Sequence, residues 1–134
     1  MVFDRLRQLR WNKLAAKPVA AAMECRARQY IKAQGLDFIT ANYHSKFGEI
    51  DLIFKDQDCW VFVEVKYRSQ TNYGEAAEQV VKSKQQKIIR TAQVFLQKQG
   101  LNEYNTQCRF DVLSLTGLAI NPRISWLKHA FFGA

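Results

Sequence analysis

The feature that most restricts this chain is a pair of apolar runs separated by turn-forming residues. GEIDLIFK (residues 48 to 55) and CWVFVEVKY (residues 59 to 67) flank Asp56, Gln57 and Asp58. β-Branched and aromatic side chains at this density, bounded by turn formers, specify two adjacent antiparallel strands. Yet these are also the strands that carry Asp51, Glu64 and Lys66, with Arg68 following at once. Charged groups are costly in an apolar sheet unless they are paired or used.

The surrounding chain supplies the rest of a layered domain. Residues 19 to 34 place Ala20, Met23, Ala27, Tyr30 and Ile31 at helical spacing, and Gly35 supplies the stop. LDFITANY is expected to form the strand before the hairpin. Ser83, followed three residues later by Gln86, has the form of a capping box, which predicts a second helix with Ile88, Ile89, Ala92, Phe95 and Leu96 inward and a stop at Gly100. CRFDVLSL reads as a fourth strand, Thr116 and Gly117 as a turn, RISWL as a short fifth strand, and KHAFF closes the chain. A helical crossover between the third and fourth strands implies a parallel pair, hence an α/β fold with a mixed sheet of about five strands flanked by helices. The 134 residues suit one domain over residues 19 to 134, with residues 1 to 18 a basic arm, flexible or helical, and Pro18 starting the next element.

Alternation assigns Val61, Val63 and Val65 to one face of the third strand and Trp60, Phe62, Glu64 and Lys66 to the other. Loop length then decides where Asp51 falls. A four-residue loop, Asp56 to Cys59, pairs Lys55 with Trp60 and sets Asp51 opposite Glu64; a two-residue loop is expected to leave them diagonal, and a three-residue loop to split the faces. Two facing carboxylates repel unless one takes up a proton or a cation lies between them. An oxygen-only pair suits Mg²⁺ or Mn²⁺, and Lys66 beside it suits stabilising charge on a phosphoryl group or orienting water. Taken alone, E-x-K on a strand is as compatible with a solvent-facing strand end.

A formal net charge of +8 makes nucleic acid the first candidate partner, with a solvated lysine-rich surface as the plainer explanation. Cys25, Cys59 and Cys108 are widely spaced, odd in number and without C-x-x-C pairing, and His44 and His129 are isolated, so a disulfide framework, a zinc site and a Cys–His nucleophile are not indicated. No stretch reaches the ~18 apolar residues of a membrane span, and the basic N-terminus lacks the apolar core of a secretory signal, so a cytoplasmic location is expected. Trp11, Trp126, Phe131 or Phe132, if exposed, would supply an apolar contact for a homodimer.

A helix with Glu24, then GEIDLI, then VFVEVKYRS, then a helix opening KQ, then RFDV resembles the YraN-like family of small bacterial proteins, which is related to PD-(D/E)xK nucleases and to Holliday junction resolvase-like members. The resemblance runs from residue 20 onward. It implies a restriction-endonuclease-like fold with Asp51, Glu64 and Lys66 in the positions of the nuclease signature. Glu24 matches the first-helix glutamate of many such nucleases, while an edge pairing with Arg28 is the alternative. The glycine usual just before that glutamate is Met23 here, which would hold the helix slightly farther from the sheet.

Lys84 and Gln85, in the first turn of the second helix, are expected to favour a phosphate. Arg68 and Lys82 are expected to contact the nucleic-acid backbone. Asp111 suits a structural pair with Arg109. The function implied is a metal-dependent endonuclease acting on structured or branched DNA. Its rival is a non-catalytic nucleic-acid-binding or adaptor protein that retains the fold.

Overall fold

The computed structural model describes residues 2–69 and 80–133, with the helical backbone alone for residues 2–17. Along the chain, α1 spans Val2–Ala33, β1 Asp37–Ser45, β2 Gly48–Asp56, β3 Cys59–Arg68, α2 Lys82–Lys98, β4 Cys108–Thr116 and β5 Arg123–Phe131. The strands lie in the order β1-β2-β3-β4-β5. Every neighbouring pair is antiparallel except β3 and β4, which run parallel because α2 lies between them in the chain. This is an α/β fold with an open mixed five-stranded sheet and, among the described residues, two helices. It is the arrangement expected of a restriction-endonuclease-like domain.

The alternation in β3 divides the core as expected. Val61 and Val63 join Leu52, Phe54, Leu113 and Leu115 beneath Met23, Ala27 and Ile31 of α1. Trp60 and Phe62 join Ile53, Phe110 and Val112 beneath Ile88, Ala92, Phe95 and Leu96 of α2. Phe95 anchors the second cluster through edge-on contacts with Tyr43, Trp60 and Phe62, at centroid separations of 5.1, 5.3 and 6.0 Å.

Several expectations require correction. Pro18 does not start a helix but lies inside α1, whose backbone is helical from Val2. Its fixed φ suits a helix, and what it forfeits is a backbone hydrogen bond in an otherwise alanine-rich segment. The capping box does not form: α2 begins with Val81 as its N-cap and no side-chain cap, leaving Ser83 already inside the helix. β5 does not end at Leu127 but runs on to Phe131, through a register shift between Phe110 and Val112 and a left-handed residue at His129 (φ 53°). Phe131 is accordingly buried and Trp126 half-buried, while Phe132 remains 75% exposed. The Trp11 side chain lies outside the described residues.

The hairpin loop resolves differently from its expected options. Both Lys55–Trp60 and Asp56–Cys59 pair, leaving only Gln57 and Asp58 in the turn. A two-residue loop therefore does not leave Asp51 and Glu64 diagonal. Closing the ladder by one further pair keeps the same register, in which the two stand opposite each other.

Candidate active site

Asp51 occupies a break in the sheet. On one side, β1 pairs Ala41 with Leu52 and Tyr43 with Ile50, skipping Asn42, which stands opposite Asp51 with a left-handed φ of 52°. On the other side, the β2–β3 ladder ends at Leu52–Val63. Ile50 and Ile53 both pack on the α2 side, so the two-residue alternation of β2 slips at Asp51. Where the ladder stops, the carboxylate substitutes for a strand partner: the Val65 N–H donates to Asp51 Oδ2 at 2.8 Å.

Glu64 faces Asp51 within hydrogen-bonding reach, and the proximity has a large electrostatic effect. Burial first, and the neighbouring Glu64 second, push the Asp51 carboxyl from 3.8 up to about 8, against the opposing bond from Val65. Glu64 is 5% exposed and is held by cations. Lys84 Nζ pairs with its Oε1, and Lys66 Nζ lies 3.9 Å from the same atom. Burial, and then the adjacent Lys84, lower the pKa of Lys66. Burial works against the charge of Lys84 as well, but its hydrogen bond and attraction to Glu64 outweigh that and raise its pKa.

α1 contributes Glu24, whose side chain is hydrogen-bonded to Asn42. Burial raises the Glu24 pKa, the Asn42 bond opposes the rise, and Glu49 and Glu64 add to it. The charge of Arg28 also acts on Glu24, lowering its pKa, while its guanidinium lies 4.9 Å from the Phe38 ring centroid. Glu24, Asp51, Glu64, Lys66 and Lys84 all border one cleft of about 680 Å³. A second cleft, of about 700 Å³, shares Asp51, Glu64, Lys84 and Glu49 and opens toward α2.

The remaining expected residues lie around this centre. Gln85 donates its side-chain amide to the Val80 carbonyl at 2.8 Å. Lys82 is exposed at the start of α2, and Arg68 ends β3, where its carbonyl accepts the Gly117 N–H at 2.8 Å. None of these three lines the two clefts. Asp111 is wholly buried and accepts from Arg109 Nε, Trp126 Nε1 and the His129 N–H, as a structural carboxylate does.

Asn42 and Glu49 were not singled out from the sequence. Asn42 carried a signal, since asparagine in a strand-like run is among the few residues that tolerate a left-handed backbone. Glu49 stands in the GEIDLI motif itself.

Residues 23–115 match the model of the uncharacterised protein family UPF0102. The chain belongs to this family. A UPF0102 protein of Colwellia psychrerythraea is 46% identical over 125 residues, covering 90% of this chain and 97% of the relative. The UPF0102 protein VV0603 of Vibrio vulnificus is 48% identical over 107 residues, covering 80% and 86%. The UPF0102 protein YraN of Salmonella newport is 43% identical over 120 residues, covering 90% and 88%. The segment that matches the UPF0102 model contains Glu24, Asp51, Glu64, Lys66 and Lys84.

The donor chemistry of the site fits a hard divalent cation. Among the described residues no group of three or more His, Cys, Asp or Glu side chains is arranged to hold a metal ion. Two carboxylates suit Mg²⁺ or Mn²⁺, which keep water and substrate oxygens in their coordination shells, and do not suit a closed zinc site. Burial and the facing Glu64 raise the Asp51 pKa, and a divalent cation between the two carboxylates would oppose both effects.

Proposed function

We propose that this protein is a Mg²⁺- or Mn²⁺-dependent endonuclease acting on structured or branched DNA. The observation that carries this reading is the facing pair Asp51–Glu64 at a break in the sheet, with Lys66 beside it and a cleft on either side. Asp51 and Glu64 would hold the cation, which supplies Lewis-acid stabilisation of a phosphoryl oxygen and acidifies water.

The chain's own groups do the rest. Lys66, its pKa lowered by burial and by Lys84, places a readily deprotonated ammonium where charge develops on the phosphoryl group. Lys84 lies in the first turn of α2, where unpaired N–H groups and the helix dipole favour an anion, and it holds the scissile strand. Glu24 borders the site from α1, held by its hydrogen bond to Asn42 of β1.

The test compares wild type with three variants on a four-way junction, a flap and a plain duplex, with Mg²⁺ or Mn²⁺ supplied. Asp51→Asn and Glu64→Gln are expected to abolish cleavage while preserving or tightening DNA binding, and Lys66→Ala to slow cleavage by ~10² or more. Wild type that binds these substrates and cuts none would favour a non-catalytic adaptor. Cleavage surviving in Asp51→Asn would place the chemistry elsewhere.

A further inference from the structure

The two clefts that meet at Asp51 and Glu64 differ in charge. Glu49 borders both, its carboxylate 3.3 Å from His44 Nδ1. The α1-side cleft adds Glu24 balanced by Lys66, with the Tyr67 ring, whereas the α2-side cleft adds two lysines, Lys46 and Lys87, no further acid, and the Phe47 ring. A recess of about 440 Å³ continues past Phe47 along Arg90, Gln93 and Gln97. Lys84, Lys87 and Arg90 recur every three residues on α2, so they form one cationic stripe that starts at Glu64 and rises ~4.5 Å per step. Among the described residues, no carboxylate forms a salt bridge with Lys46, Lys87 or Arg90.

The tip of the β1–β2 hairpin is fixed against this stripe. Ser45 Oγ and the fully buried Thr91 Oγ1 are 2.9 Å apart, and the Phe47 N–H donates to the same Ser45 oxygen at 3.1 Å. Gly48 lets the hairpin approach α2, since a Cβ there would lie 3.3 Å from Lys87 Cβ. The half-exposed Phe47 ring is thereby presented between Lys46 Nζ, 5.2 Å from its centroid, and the Arg90 guanidinium, at 5.6 Å. Cations that rest on an aromatic ring, with no salt bridge to an acid among the described residues, are available to phosphates. A phosphate that drew Lys46 off the ring would uncover a face for stacking.

We propose that this surface is the track for an unpaired nucleic-acid strand leading away from the carboxylate pair, with phosphates on Lys46, Lys87 and Arg90 and a base stacked on Phe47. The proposal rests on the nuclease reading for the class of ligand, and it goes further in assigning the single-stranded part of a branched substrate to the α2 side. Aromatic stacking requires an unpaired base, and a cationic groove beside an aromatic platform is what a strand without sequence preference needs.

The test measures binding by the full chain in EDTA, so that cleavage plays no part. The probes are a fluorescein-labelled thymidine oligomer of about 12 nucleotides and a blunt duplex of the same length, titrated over a range of salt. Combined substitution Lys46→Gln, Lys87→Gln and Arg90→Gln is expected to reduce the slope of log affinity against log salt for the oligomer by about 2, from ~0.7 per phosphate contact. Phe47→Leu keeps an apolar side chain but removes the ring face. It is expected to weaken oligomer binding about tenfold and duplex binding much less, and Phe47→Trp to restore it.

Unfolding midpoints of the variants report whether the hairpin is still formed. An unchanged salt slope together with unchanged oligomer affinity in Phe47→Leu overturns the track, whatever cleavage assays show. So does a wild type that binds acidic polyglutamate in preference to the oligomer, which assigns the surface to an acidic protein. Binding that follows the expected pattern in a protein that cleaves nothing leaves the track standing and removes only the endonuclease reading.

Discussion

At the scale of single residues, Asp51 has a conformational reason for its position and an electrostatic penalty for holding it. It accepts one backbone N–H where the ladder stops, and it faces a second carboxylate in a half-buried site. The folded protein therefore retains a proton between 3.8 and about 8 that the unfolded chain releases. Stability of the metal-free protein should fall as pH rises through this window, by at most ~1.4 kcal/mol per pH unit, and level off above it. Asp51→Asn keeps an acceptor for Val65 and removes the titration. The variant is expected to match wild type near the acid end and to exceed it by ~1–3 kcal/mol at the alkaline end. Urea unfolding across a pH series checks this, and parallel profiles for the two proteins would contradict it.

At the scale of elements, the start of α2 brings Lys84 onto Glu64 yet is weakly terminated. Val81 occupies the N-cap in an extended conformation (φ −62°, ψ 154°) and offers no side-chain acceptor to the first turn. Its carbonyl accepts the Gln85 N–H at 3.0 Å, while the Gln85 side chain turns back to Val80. Val81 is 59% exposed, so little apolar burial is at stake there. Val81→Ser should provide the missing acceptor and stabilise the protein by about 1 kcal/mol, seen as a higher urea midpoint with unchanged slope. A lower midpoint would mean that the valine packs against more than the described residues show.

At the scale of the whole molecule, a buried ionic network joins strands that are distant in sequence. Arg109 on β4 reaches Asp56 on β2 through Nη1 and Asp111 through Nε, each at 3.1 Å, and Asp111 also takes the Trp126 indole and the His129 N–H of β5. Asp111→Asn would leave the Arg109 guanidinium short of charge in a dry setting, at an expected cost of ~3 kcal/mol in chemical denaturation. Under the proposed endonuclease reading, cleavage by the protein that remains folded should be unaffected, which separates this structural carboxylate from Asp51. A denaturation curve identical to wild type would show that Asp56 alone satisfies the arginine. No helix among the described residues is long and apolar enough to cross a membrane.

The sequence by itself determined the order of the strands, the parallel β3–β4 pair and the placing of Asp51, Glu64 and Lys66 on adjacent strands, while which hairpin loop brings Asp51 opposite Glu64 was left open. These follow from local rules: the two-residue strand period, the short hairpin, and a helical crossover that forces parallel pairing. The family resemblance pointed in the same direction.

Only the tertiary structure decided how those residues are held. The left-handed Asn42 interrupts the sheet at Asp51, and its bond to Glu24 spans α1 and β1. Lys84 reaches across from α2 to Glu64, and the β1–β2 tip is anchored on Thr91. Pro18 within α1 and the uncapped start of α2 likewise escaped local rules. A sequence pattern reports which face a side chain takes within its own element. Which groups meet between elements depends on how two helices settle on opposite faces of one twisted sheet, and that is decided by packing of the two cores taken together.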